Sequence, residues 1–301
     1  MRLKRETGNE LEAFVRTESN GSKRQKCLLL HGNPGSLLDW QPLVPRLASA
    51  VDVAAIDLPG FGRSPRSDPS PESMNLDRLA EQVILAANAL GWREPIVLVG
   101  HSHGGGVAQV LAARYPERVA GLVLIATLGA PAHANYRLLS LPGAAAFARL
   151  AGHLFRSKRF RSLKRAILER VMSDIFSPEP VPAQKLEREL EHFSFRPEIL
   201  VSMVHVALGR PCAQLLRSAS AIRCPTLFLH GREDALVPAR YARAIHDCML
   251  KAGGRSQFEV VPDAGHMLID SRAAELADRI LRSSAQLTIG DALAGAGSPP
   301  A

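Results

Sequence analysis

A chain of 301 residues with 46% hydrophobic composition carries enough apolar material for one large or two smaller packed domains, which excludes a disordered or fibrous protein. Its apolar runs are too short to cross a bilayer, and the opening MRLKRETGNELEAF has a basic front without a signal peptide's apolar stretch, so a cytoplasmic globular protein is expected. The net charge of +8 raises nucleic acid as a partner, but the excess gathers in one stretch, Arg156 to Val171, and nucleic acid is not expected.

In chain order, LEAFVRTE and KCLLLHG read as strands around SNGS, whose Asn20-Gly21 pair signals a hairpin turn. Short apolar runs follow: VDVAAIDL at 51–58, PIVLVG at 95–100, GLVLIAT at 121–127, PTLFLHG at 225–231 and SQFEVVP at 256–262. Between most of them lie amphipathic stretches such as MNLDRLAEQVILAANALG, ended by Gly91, and AGHMLIDSRAAELADRILRSS. Apolar runs of strand length alternating with helices predict an α/β fold, a mostly parallel sheet covered by helices on both faces.

From Ala132 to Ser220 only helical periods, basic clusters and proline-rich joints occur, which predicts a helical insertion. A lid over the carboxyl ends of the strands is its natural place, because ligands of open parallel sheets bind there. Within it, Phe160, Leu163, Ile167 and Val171 recur at helical spacing, so an amphipathic helix is expected to dock by that stripe. Lys158, Arg159, Arg161, Lys164 and Arg165 would then face solvent; a weak contact of Arg156–Arg170 with an anionic membrane or carrier is the alternative. The tail from Ser284 lacks aromatics, ends in small residues and prolines, and is expected to fray. Cys27, Cys212, Cys224 and Cys248 lack CxxC spacing and read as reduced core thiols, with no metal site.

Gly100-His101-Ser102-His103-Gly104 fits G-x-S-x-G where a buried strand must turn sharply into a helix. The glycines leave room for a strained serine whose hydroxyl projects from the top of the sheet. A serine hydroxyl is a poor nucleophile at neutral pH, so it requires a histidine base and an acid that orients the base. Asp234 follows one strand and His266 follows the last. Glu233 is a competing acid, while Asp263, close to His266, reads as a turn former. His31 and His230 precede glycines at strand ends and read as turn-stabilising; His101 and His103 flank the serine and reach back to its hydroxyl with difficulty, His103 being a candidate to line the pocket.

The order serine, acid, histidine resembles that of the α/β-hydrolases with an inserted cap, over residues 11–131 and 221–283. The resemblance implies a core of residues 1–131 and 221–283, a helical cap at 132–220 and a flexible tail at 284–301. HGREDALVP resembles the family's G-x-x-D-x-x-V-P and so implies Asp234, rather than Glu233, as the acid. LLLHGNPGS resembles its oxyanion loop, which implies backbone amides of Asn33 and His103 as the oxyanion donors, and DLPGFGRS resembles a conserved turn in which Asp57 is structural. HGNP also resembles the halide-binding loop of haloalkane dehalogenases. Those enzymes and the epoxide hydrolases carry an aspartate at the elbow, where this chain has Ser102, and the epoxide hydrolases use cap tyrosines, of which this chain offers only Tyr136.

What remains implied is acyl chemistry without a cofactor. Ser102 attacks a small-molecule ester, thioester or lactone, His266 moves the proton and Asp234 orients it, with cap residues 132–220 shaping the substrate site. Carbon–carbon bond hydrolysis, perhydrolysis or acyl transfer with the same triad is the alternative, and a non-catalytic ligand-binding relative the third reading.

Overall fold

The structure, a computed structural model, describes residues 2–4, 10–14, 25–64, 69–128, 139, 141–192, 195–209 and 212–294, with side chains described from residue 25 to 283 of these, His192 excepted. Its strands are β1 (Arg2–Lys4), β2 (Glu10–Phe14), β3 (Lys26–Leu30), β4 (Asp52–Ile56), β5 (Ile96–His101), β6 (Val119–Ile125), β7 (Thr226–Gly231) and β8 (Ser256–Val261). The helices are α1 (Val44–Leu47), α2 (Leu76–Ala89), α3 (His103–Arg114), α4 (Ala144–Phe155), α5 (Arg161–Phe176), α6 (Ala183–His192), α7 (Pro197–Leu208), α8 (Cys212–Ala219), α9 (Ala239–Lys251), α10 (Leu268–Ser271) and α11 (Ala273–Ala294).

One sheet runs in the order β1-β2-β4-β3-β5-β6-β7-β8, with β3 to β8 mutually parallel and β1 and β2 antiparallel at one edge. Every residue of β4, β5 and β7 is buried, as expected of strands covered on both faces. Leu79, Val83, Val107, Leu111, Ile245 and Met249 pack one face beneath α2, α3 and α9. Leu47 of α1 and Leu276 and Ile280 of α11 close the other.

The expected hairpin does not form. β2 pairs with β4, Ala13 opposite Ile56, while β3 sits between β4 and β5. Leu28, Leu29 and Leu30 are all fully buried, so β3 demands partners on both edges and cover on both faces, which an edge hairpin cannot supply. Asn20 and Gly21 lie outside the described residues.

The connection from β6 to β7 contains five described helices, α4 to α8. Within it the stripe expected to dock is displaced. Leu163 is 50% and Ile167 38% exposed, whereas Leu168, Met172 and Phe176 are buried against Leu186 and Leu190 of α6. A 3-10 turn at Lys158–Phe160 interrupts the helical phase, so Phe160 does not share a face with the rest, and the C-terminal half of α5 does the docking. Lys158, Arg159, Arg161 and Arg165 are exposed. The last predicted helix is broken at Arg272 into α10 and α11, and α11 continues to Ala294, into the segment expected to fray. Cys27 and Cys224 are buried, with burial pushing both thiols to about 12; Cys212 and Cys248 are only half-buried, and all four are free. Among the described residues no single helix is long and apolar enough to cross a membrane.

Candidate active site

β5 delivers Ser102 to a corner with φ 50° and ψ −115°, a left-handed conformation rare for a residue with a side chain. The strain is held by three backbone bonds. Ser102 N donates to Ile125 O at 3.0 Å, and Ser102 O accepts from Leu128 N at 2.9 Å and Gly106 N at 3.2 Å. A side chain at Gly100 would meet Gly104 O at 2.5 Å, and one at Gly104 would collide with Leu30 O, so both glycines are required by close approach. His103 opens α3, where the first backbone amides have no partner within the helix and the helix dipole is positive.

His266 follows β8. Its Nδ1 donates to Asp234 Oδ2 at 2.8 Å, and its carbonyl accepts from His101 Nε2 at 3.0 Å. Asp234 Oδ1 accepts from Leu236 N at 3.0 Å and Val237 N at 2.8 Å, and its Oδ2 also lies 3.1 Å from His230 Nε2. Burial pushes the Asp234 carboxyl up, but the charge and hydrogen bonds of His266 and His230 outweigh it, and the group is held well below the usual carboxylate range. His230 binds Val237 O at 2.7 Å, as a turn stabiliser does, and also lies against the Asp234 carboxylate, a contact visible only once β7 and its loop are folded.

Ser102, His266 and Asn33 line one cavity of about 220 Å³, joined by His101. His103 is placed differently from expectation: its ring is not part of that lining but lies in the core, 6.4 Å from Phe61, and burial lowers its pKa to about 3. Burial and His266 likewise hold His101 at about 3. His31 accepts from Leu58 N at 2.9 Å and bonds Gly32 O, and Asp57 accepts from Leu37 N and Arg63 N, so both tie loops together beneath the site. Asp263 takes the positive φ of a turn, 49°, and Glu233 accepts from Ala264 N at 2.9 Å; Asp234 is the carboxylate that meets His266.

Most of the remaining wall comes from the helices between β6 and β7: Ile167, Leu168, Val171, Met172, Ile175 and Phe176 of α5, Lys185 and Glu189 of α6, and Leu200 and Met203 of α7, with Phe195. A side chain at Gly265 would collide with Ser177 O, so glycine there lets the end of α5 lie against the loop carrying His266. Buried charges complete the attachment. Lys185 Nζ bonds Asp270 Oδ2 at 2.6 Å and lies 3.3 Å from Asp39 Oδ1, which Arg188 also reaches at 3.0 Å. Sequence reasoning missed this cluster. Ser36 and Asp39 do carry a capping-box spacing, which the structure realises, but nothing local announces that Lys185 would meet them. Among the described residues no group of His, Cys, Asp and Glu is arranged to hold a metal ion.

Comparison with known proteins agrees with this architecture. Residues 28–273 match the family described as alpha/beta hydrolase fold. A 2-hydroxymuconate semialdehyde hydrolase of Pseudomonas sp. (strain CF600) is 30% identical over 287 residues, covering 91% of this chain and 93% of that one. A pimeloyl-[acyl-carrier protein] methyl ester esterase of Neisseria meningitidis is 29% identical over 224 residues, covering 74% and 80%. Among solved structures, a thermophilic esterase from Thermogutta terrifontis superposes with a TM-score of 0.71 at 24% identity, covering 95% of this chain and 98% of that one, and is similar in fold. This chain belongs to the alpha/beta hydrolase fold family.

Proposed function

We propose that the chain is a cytoplasmic serine hydrolase that cleaves a carboxylic ester, thioester or lactone through an acyl-enzyme. The observation that carries this reading is the placement of Ser102, strained at the end of β5, in one cavity with a His266 whose Nδ1 is committed to Asp234. That commitment leaves His266 Nε2 as the base. It takes the Ser102 proton as Oγ attacks the carbonyl carbon, and the negative oxygen is received by the amides of Asn33 and His103, donors worth about 10²–10³ in rate each. As the carbon–oxygen bond breaks, His266 returns the proton to the leaving alcohol, and water repeats the sequence on the acyl-enzyme. Asp234, ionised across the working pH range, stabilises the imidazolium that forms in each half. Residues 132–220 act as the cap, excluding water and shaping the substrate space.

The similarity to a 2-hydroxymuconate semialdehyde hydrolase supports a second reading, carbon–carbon bond hydrolysis with the same residues. A muconate carries a carboxylate, however, and the cation lining this cavity, Lys185, is already held by Asp270 and Asp39, with Glu189 beside it. The remaining wall is chiefly apolar, which favours a neutral ester. Labelling by a fluorophosphonate probe, lost in Ser102→Ala, together with turnover of p-nitrophenyl esters tests the proposal. Cleavage of a vinylogous diketone with no ester turnover would move the assignment to the second reading.

A further inference from the structure

A second apolar groove, of about 540 Å³, lies against the catalytic cavity. α4 and the residues before it form one side; the other side includes Phe195, Leu200 and Met203, the same three side chains that line the catalytic cavity. The two spaces are thus separated by a partition of side chains. Phe195 packs edge-on against Phe155 at 5.3 Å, and Met203 is an unbranched side chain that adapts to what passes it. Among the described residues no charged side chain lines the groove, and Phe147 is 74% and Leu141 55% exposed, an apolar surface of the kind that marks a binding site. The charged part of the catalytic cavity, Asp39, Lys185 and Glu189, offers an apolar chain no comparable path.

We infer that the α4–α7 groove is the subsite for the distal end of a long unbranched apolar chain, carried by an ester whose carbonyl stands at Ser102, the chain passing the Phe195–Met203 partition. This rests on the ester reading. The continuity of apolar lining across the partition is what identifies the occupant, because the groove shares its wall with the space where the ester reacts.

The test compares kcat/KM for p-nitrophenyl butyrate and p-nitrophenyl dodecanoate, and for ethyl and dodecyl acetate, the two pairs telling whether the chain lies on the acyl or the alcohol side. Ala144 and Ala151 are half-buried and line the groove but not the catalytic cavity, so Ala144→Trp and Ala151→Trp fill it. The expected result is a preference for the long chain in one pair of about tenfold or more, and its loss in both variants, since single methylenes in apolar pockets are worth about tenfold or more in discrimination. The neutral methyl ketone 2-tridecanone should also inhibit butyrate hydrolysis by the unmodified enzyme competitively and more strongly than 2-pentanone does, a measurement that needs no variant to fold. Butyrate turnover without any long-chain preference, or a preference that survives both tryptophans, overturns the inference while leaving the ester reading in place. Fluorophosphonate labelling of Ser102 without turnover of any ester overturns both.

Discussion

Asp234 collects four hydrogen bonds on two oxygens, and this explains why it stays charged in a buried place. Asp234→Asn keeps the size and the amide bonds to Leu236 and Val237 but lets His266 adopt the wrong tautomer, so kcat on an ester should fall by about 10⁴ with an unchanged circular dichroism spectrum. His103 makes a separate prediction. Its pKa of about 3 in the fold lies below about 6.5 in the unfolded chain, so between those values only the unfolded chain takes up the proton. Stability therefore falls as pH drops below about 6.5, by about 1.4 kcal/mol per unit for each such histidine, and His101 adds a second contribution. Among the described residues the His103 ring nitrogens meet no hydrogen-bond partner, so His103→Leu should be neutral or stabilising at pH 7 and should flatten the acid slope by one histidine's share in urea titrations at several pH values. The positions of Ser102, Asp234 and His266 were legible because each stands beside a strand end with its own local signature. His230 was not, because a partner four residues away across a tight loop leaves the same pattern as a turn stabiliser.

Elements were legible where a strand or helix carries its own period, and illegible where a neighbour decides. The runs that became β4 to β7 could be read directly, since burial on both faces leaves continuous apolar stretches, and β8, half-exposed at the edge of the sheet, by its own short apolar run. The pairing of β2 with β4 depended on β3 claiming the centre of the sheet, which no local turn signal records. The stripe of α5 was placed only in part: the 3-10 turn takes Phe160 out of phase, Ile167 and Val171 do line the cavity, and packing against α6 selects Leu168, Met172 and Phe176 for burial. Leu168→Ala should accordingly cost about 2–5 kcal/mol in urea unfolding, while Leu163→Ala should stay within about 0.5 kcal/mol. The charged contact of α6 is sharper still. Lys185→Met leaves Asp39 and Asp270 buried without the ammonium between them, and should destabilise by about 3–5 kcal/mol. The same variant with Asp270→Asn should recover part of that loss, because the uncompensated charge is removed with its partner.

At the scale of the whole molecule, the excess charge of +8 is less concentrated in effect than in sequence. The basic stretch at Arg156–Arg170 is folded so that Arg161 and Arg165 meet Glu187 of α6, and Arg165 and Arg170 also meet Glu169 and Asp174 of their own helix. These pairs are exposed and individually weak, but they spread the positive field and reduce what an anionic surface would feel. Binding to vesicles of anionic phospholipid is therefore expected at low salt, driven by the net charge, and should vanish in co-sedimentation at physiological ionic strength, where screening acts beyond about 8 Å. Retention at that ionic strength would point instead to a specific contact with an anionic membrane or carrier. Reversing Lys158, Arg159 and Lys164 together would then decide the matter: abolished retention would assign the contact to this helix, and unchanged retention would place it elsewhere on the surface.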